Sequence, residues 1–201
     1  MTYYISDLHY GHENSIYMDN RPFASLEEMN ERLIERWNSV VSCNDTVYIL
    51  GDFIWKRDNS LWQEIVPKFN GRKNLIVGNH DIRKENFLIA TRKLFDKIEA
   101  LTEIHDLGRN VILCHYPIPF GRHDYNNNVY MLYGHLHDTY EEQFMQQFRK
   151  IIKEGTPPKD ISAVPKGNFY NVGCMMPWMN YTPRTLDEII SGYENYERRE
   201  K

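Results

Sequence analysis

The sequence predicts a mixed α/β domain with its helices outside the sheets. Three observations predict it. Short β-branched and aromatic runs alternate with helical stripes in the first half. Hairpin-like strands gather in the second half, and a metal- or proton-handling residue follows several of the apolar runs. Strands alternating with helices imply helices packed on sheet faces, and ligands in such folds collect beyond the carboxyl ends of the strands.

The elements follow in order. Thr2–Ser6 is a β-rich run ending at Asp7. Ser25-Leu26-Glu27-Glu28 has capping-box form. Leu26, Met29, Leu33, Ile34, Trp37, Val40 and Val41 then line one helical stripe. Thr46–Leu50 is a strand before Gly51. Ser60–Phe69 reads as a helix, with Ser60 and Gln63 in capping-box spacing, and Asn74–Val77 as a strand before Gly78. Arg83–Ala90 is a short helix. Ala100–Asp106 and Val111–Cys114 flank the hairpin turn Leu107-Gly108-Arg109-Asn110. Val129–Tyr133 is a strand, and a helix runs from about Asp138 to Glu154 with Tyr140, Phe144, Phe148, Ile151 and Ile152 on one face. Gly155-Thr156-Pro157-Pro158 stops it. Phe169–Val172 is a late strand, and Thr185-Leu186-Asp187-Glu188 caps a final helix.

The chain has 201 residues, 41% apolar and 26% charged, which suits one domain spanning 1–201 with a full core. No apolar stretch approaches the roughly 18 residues that would span a bilayer. The N-terminus enters a strand at once, so no signal peptide is expected. Cys43, Cys114 and Cys174 lie far apart and are odd in number, which predicts buried thiols in a reducing, cytoplasmic setting. The net charge of −4, with cations and anions mixed, argues against binding of long nucleic acid. A small nucleotide stays compatible, because bound metal can supply local positive charge.

Five motifs carry the chemistry: Asp7-Leu8-His9, Gly51-Asp52, Gly78-Asn79-His80-Asp81, His115 and Gly134-His135-Leu136-His137. Asp7 and His9 are two apart, which in an extended segment puts both side chains on one face; His135 and His137 repeat the spacing around Leu136. The three glycines stand beside ligand candidates, where a strand must turn at a crowded place. Together the motifs offer enough oxygen and nitrogen ligands for two metal ions.

The order D-x-H, G-D, G-N-H-D, H, G-H-x-H resembles the calcineurin-like metallophosphoesterases. Asn20-Arg21-Pro22-Phe23 and the run Asp45–Phe53 are similar to the small bacterial and phage members. The resemblance spans Ile5 to about Thr185. It implies a four-layer α-β-β-α sandwich of two mixed sheets flanked by helices. It also implies that Asp7, His9, Asp52 and His137 hold one metal, while Asp52, Asn79, His115 and His135 hold a second. Mn²⁺ heads the candidate ions, with Fe, Zn²⁺, Mg²⁺ or Ni²⁺ as alternatives. His80 would face the substrate as proton donor, with Asp81 behind it to orient or charge the ring.

The charge sum explains why such a set suits phosphate. Two divalent ions bring four positive charges against two anionic ligands, Asp7 and Asp52, because histidines bind neutral and Asn79 is an amide. The excess of roughly two attracts a phosphate and makes a water between the ions acidic enough to attack near neutral pH.

His12, Arg21 and Arg83 are the candidates for contact with substrate. Bracing the loop is the rival reading for His12, and a structural ion pair for the two arginines. His123 reads as a surface-loop residue and His105 as a strand-end one. The Tyr140–Ile152 stripe and Trp178 read as core. Protein phosphatases of the family carry G-D-x-x-D-R-G, but this chain has Gly51-Asp52-Phe53-Ile54-Trp55-Lys56-Arg57, which disfavours a protein substrate. The expected activity is hydrolysis of a small phosphodiester, perhaps nucleotide-derived, by a monomer or homodimer. A phosphomonoesterase or nucleoside polyphosphate hydrolase is the alternative, and a non-catalytic metal-binding interaction module the rival from another class.

Overall fold

The computed structural model describes residues 1–81, 91–156 and 164–199. Its strands are β1 (Thr2–Ile5), β2 (Thr46–Ile49), β3 (Arg72–Ile76), β4 (Lys97–Glu99), β5 (Leu101–Asp106), β6 (Arg109–Cys114), β7 (Val129–Tyr133) and β8 (Phe169–Asn171). Its helices are α1 (Asn14–Met18), α2 (Leu26–Val40), α3 (Asn59–Ile65), α4 (Tyr140–Glu154) and α5 (Leu186–Arg199), with 3-10 turns at Val66–Lys68 and Arg92–Leu94. The helix expected over Arg83–Ala90 lies outside the described residues, as does Arg83 itself.

The strands form two four-stranded sheets, β1-β2-β3-β4 and β5-β6-β7-β8. The first is parallel throughout. In the second, β5 is antiparallel to β6, and β6, β7 and β8 run parallel. Side chains of β6 and β7 divide with the two-residue period of a strand. Val111, Leu113 and Leu132 join the large core that includes Ile5, Val47 and Ile49 of the first sheet. Ile112, Cys114, Met131 and Tyr133 face away, toward Met145, Phe148 and Ile152 of α4. Met29, Leu33 and Trp37 of α2 and Trp62 and Ile65 of α3 join the large core. The α5 helix packs on the edge strands β1 and β8. The result is the four-layer sandwich.

Local signals explain most boundaries. Ser25 caps α2 by accepting from Glu28 N at 3.1 Å, and Glu28 reaches back to Ala24 N at 2.7 Å. Thr185 and Glu188 cap α5 reciprocally, at 2.9 and 3.4 Å. The α3 cap differs from expectation: Asp58 accepts from Leu61 N, so the helix starts one residue before Ser60. Aspartate is as good a cap as serine, and Asp58 stands earlier in the chain than Ser60. The hairpin turn is shorter than expected, because Asp106 pairs with Arg109 and leaves only Leu107 and Gly108 between the strands. The strands β3 and β4 pair across Asn74 and Lys97; β4, only three residues long, gave no periodic signal, and neither did α1.

Two burial expectations fail. Cys114 and Cys174 are buried, but Cys43 is exposed, in the turn before β2. The α4 stripe splits: Phe148 and Ile152 pack on the second sheet, while Tyr140, Phe144 and Ile151 stay exposed. The face turned inward instead holds Glu142, which accepts from Tyr133 Oη at 3.0 Å, and Arg149, whose Nε donates to Gly167 O at 2.8 Å, so two polar side chains occupy what periodicity assigns to apolar ones. Trp178 is core, as expected, and donates to Asn171 O at 2.7 Å. His123 and His105 are exposed. No described helix is long and apolar enough to cross a membrane.

Candidate metal centre

All five motifs lie past the carboxyl ends of parallel strands. Asp7 and His9 follow β1, Asp52 follows β2, and Asn79 and His80 follow β3. His115 follows β6, and His135 and His137 follow β7. Because both sheets present these ends at the same edge, residues up to 130 positions apart meet in one cluster. Backbone bonds knit the loops together: Asp7 N donates to Gly51 O at 3.1 Å, His9 N to Asp52 O at 2.9 Å, and Gly134 N to His115 O at 3.0 Å.

The ligand segments are not extended. Asp7, His9, Asp52, His135 and His137 all have φ between 49 and 68°. The side chains converge because each residue turns into the left-handed region, which corrects the expectation of an alternating strand face. Such residues persist only where surroundings over-determine them, at a cost of about 1–3 kcal/mol each, and they cluster at functional sites.

The motif glycines serve close approach. A Cβ on Gly134 would lie 2.0 Å from Ser6 Oγ and 2.5 Å from Asp7 Oδ2. One on Gly51, whose φ is +91°, would lie 2.4 Å from His115 Nδ1. Only glycine lets these strands' ends sit against the ligands.

Two groups of donors form. In one, His9 Nε2 lies 3.2 Å from His137 Nε2, and His137 Nε2 lies 3.7 Å from Asp7 Oδ1. In the other, Asn79 Oδ1 lies 2.9 Å from both His115 Nε2 and His135 Nδ1. Asp52 Oδ2 stands between them, 3.7 Å from His9 Nε2 and 3.6 Å from His115 Nε2. Asp7, Asp52 and His115 also offer ligand atoms within 4.8 Å of one another.

The donor chemistry fits metal ions. His115 Nδ1 is 2.7 Å from Leu50 O, a group that can only accept, so this nitrogen carries the proton and Nε2 presents a lone pair. That lone pair faces the Asn79 oxygen. His137 Nδ1 likewise donates to Asp19 Oδ1 at 2.7 Å, which leaves Nε2 turned to His9 and Asp7; against burial, the Asp19 bond and the Asp7 carboxylate raise this ring's pKa, and a bound cation would take the place of the Nε2 proton. Lone pairs converging on each other are resolved by a cation. Burial, then the facing His137 ring, hold His9 well below its ordinary pKa, so it is neutral. Burial and the neighbouring Asp7 carboxylate push Asp52 up to about 7. Asp7 and Asp52, both buried, bring two carboxyl groups to the same cluster of imidazoles, and bound cations would favour their ionised forms.

Two of the expected site residues are placed differently. Arg21 does not line the cleft: it is buried, donates to Leu8 O at 2.7 Å and Asp7 O at 3.0 Å, and grips Asp19 at 2.8 Å. A guanidinium with that many fixed acceptors braces the ligand loop, which is the ion-pair alternative. Asp81 does not orient the His80 ring. Its carboxylate accepts from Asp52 N and Gly78 N, both at 2.8 Å, and from Phe53 N at 3.3 Å, so it shapes the loop that carries Asp52. His12 does border the cleft, stacked on Trp55.

Two residues escaped sequence reasoning. Asp19 holds His137, and its only signal was its place directly before Asn20-Arg21-Pro22-Phe23. Burial opposes its ionisation, but the His137 bond and Arg21 outweigh that and keep its carboxyl below the usual range. Trp55 is half-buried beside His9, His12 and His80. His80 borders the cleft; its backbone N donates to Asp52 Oδ1 at 2.8 Å, and its ring Nε2 lies 4.0 Å from Asp52 Oδ2. The cleft has a volume of about 460 Å³, and beyond the ligands Asn14, Met18 and Thr139 border it.

Comparison with known proteins agrees with this geometry. The family model described as calcineurin-like phosphoesterase matches residues 2–182. An uncharacterized protein of Methanocaldococcus jannaschii is 34% identical over 191 residues, covering 94% of this chain and 88% of that protein. The gene 66 protein of Mycobacterium phage L5 is 40% identical over 83 residues, 40% of this chain and 39% of its own. A crystal structure of an Aquifex aeolicus protein of unknown function has the same fold, with a TM-score of 0.56 at 24% identity over 95% of this chain and 98% of that one.

Proposed function

The chain belongs to the calcineurin-like phosphoesterase family, and on that premise we propose that it hydrolyses a small phosphodiester at a two-metal centre. Asp7, His9, Asp52 and His137 would hold one ion, and Asp52, Asn79, His115 and His135 the other. The observation that carries this reading is the place of Asp52 Oδ2, within 3.7 Å of a histidine nitrogen from each group. One oxygen common to both groups is what a shared ligand requires.

When bound, the ions would supply charge for the phosphate and acidify the attacking water. The chain's own residues do the rest. His80 is held at its backbone by the shared aspartate and turns its ring to the cleft, where it gives a proton to the leaving alkoxide. Asp81 and Arg21 keep the Asp52 and Asp7 loops in place through backbone bonds.

A diester with a modest neutral substituent suits the cleft better than a polyphosphate does. Among the described residues, no lysine or arginine lines it. Arg21, a cation expected near the substrate, is spent on backbone carbonyls and Asp19, and Arg57 Nε donates to His80 O. Mn²⁺ is the first ion to try, since a mixed nitrogen and oxygen set accepts several divalent metals.

The test is a screen of mono-, di- and cyclic phosphoesters with Mn²⁺ added, together with metal analysis. The expected result is two ions per chain and the highest kcat/KM on a diester. A higher kcat/KM on monoesters or nucleoside polyphosphates would overturn the diester assignment. One ion per chain in the active protein would overturn the two-metal one.

A further inference from the structure

We propose that Trp55 is a positioning residue that sets the orientation of His80, and with it His12, toward the reacting phosphate. The inference rests on the reading of His80 as proton donor.

The indole of Trp55 touches three imidazoles. It stacks on His12 at 3.6 Å with only 7° between the rings. It meets His80 at 4.7 Å and 43°, and His9 at 5.9 Å and 58°. These histidines come from two loops: His9 and His12 from the one after β1, His80 from the one after β3. Trp55 belongs to a third, the loop after β2. One ring therefore ties the three loops of the first sheet that carry its site residues.

The backbone that carries the indole is itself anchored. The main-chain N of Trp55 donates to Tyr10 O at 3.0 Å, and Tyr10 and Ile54 form a parallel bridge. About a quarter of the His80 side chain is exposed, and the terminal torsion of a histidine is broad and two-fold, so packing against neighbours decides where the ring points. The flat indole lies against one side of this ring, whose Nε2 stands on the Asp52 side of the cleft, 4.0 Å from Oδ2. The chain has tryptophan at the place where the protein phosphatases of the family have their second aspartate. An uncharged indole there supplies position, not charge.

A merely structural tryptophan would not change which leaving groups are cleaved well. A displaced proton donor slows esters with alkyl or ribosyl leaving groups and spares activated nitrophenyl esters, which barely need a proton. Trp55→Ala is expected to lower kcat on the alkyl ester by on the order of 10–100-fold, to leave the nitrophenyl ester within about threefold, and to keep full metal content. Trp55→Phe, which restores a flat ring, is expected to recover most of the loss.

The second readout needs no turnover. In the protein loaded with diamagnetic Zn²⁺ and labelled at histidine, the ring protons of His12 and His80 are expected upfield of free imidazole from the indole ring current. They should return toward it in Trp55→Ala. Equal losses on both esters in Trp55→Ala, or an unmoved His80 resonance, would overturn the proposal. If Trp55→Ala does not fold, the smaller ring of Trp55→Phe is read in the same way, with a partial resonance shift and a partial alkyl-ester loss expected. The parent reading fails separately: His80→Ala with unchanged alkyl-ester turnover would remove the proton donor itself, whatever Trp55 does.

Discussion

The Nδ1 atom of His137 lies 2.7 Å from Oδ1 of Asp19, and the other oxygen of that carboxylate is gripped by Arg21. Asp19 thus fixes the tautomer of His137 and aims its Nε2 at the cluster, while Arg21 ties the same carboxylate to the backbone of Asp7. Partners of this kind are worth roughly 10–100-fold in metal affinity. Asp19→Asn should weaken metal binding by about that factor with little change in fold, as metal titration followed by calorimetry would show. Unchanged affinity would mean that His137 is held by other contacts.

His80→Ala should lose about 10²–10⁴-fold in turnover of an alkyl or ribosyl phosphodiester while retaining both ions. Metal analysis alongside the assay separates loss of the proton donor from loss of the centre.

Gly134→Ala should disorganise the centre from a distance of one methyl group. The new carbon would overlap Ser6 Oγ and Asp7 Oδ2, and overpacking of this kind costs about 1–3 kcal/mol. A lower melting temperature together with weaker metal binding is expected. A variant that keeps both at wild-type values would show that β7 can shift to make room.

Chelation should lower the melting temperature, and Mn²⁺ should restore it in proportion to the logarithm of its concentration. Five ligand candidates sit in the left-handed region, and burial, together with the Asp7 carboxylate, pushes Asp52 up to about 7. A ligand that binds only the folded state stabilises by about 4 kcal/mol at a thousand times its Kd. Identical melting with and without chelator would contradict a metal centre at these residues.

Glu142 gives the pH dependence away from the metals. It is buried on α4, and burial pushes its carboxyl up to about 7, against bonds from Asn171, Gln146 and Tyr133 that oppose the rise. Between the unfolded value of 4.5 and about 7 the folded state therefore binds the extra proton. That contribution is fully present below 4.5 and is lost as pH rises through 7. At ~1.36 kcal/mol per pH unit it amounts to about 3 kcal/mol. Glu142→Gln, which stays neutral, should flatten the fall in stability across this window in denaturant titrations at several pH values. A wild-type curve flat from pH 5 to 8 would refute the shift.

Much of the layer order could be read from the residues, because strands and amphipathic helices announce themselves by local period and capping. The boundaries of β7 and the caps of α2 and α5 came directly from neighbours in the chain. The gathering of five motifs past strand ends was also legible, since strand ends and chemical side chains are both local facts. What local pattern misjudged was α4, where Glu142 and Arg149 turn inward and Tyr140 and Phe144 turn out. Period alone cannot register that a buried charge has found its partners on other elements.

The sequence by itself determined which side chains are available for metal chemistry and the order in which strands deliver them. Only the tertiary structure decided how they face one another. It turned Asp7, His9, Asp52, His135 and His137 into the left-handed region, spent Arg21 and Asp81 on backbone groups, and brought Asp19 to His137 across 118 positions. The physical reason is that convergence depends on which strand ends lie side by side and on the space left by absent Cβ atoms, and both are properties of the packed sheets.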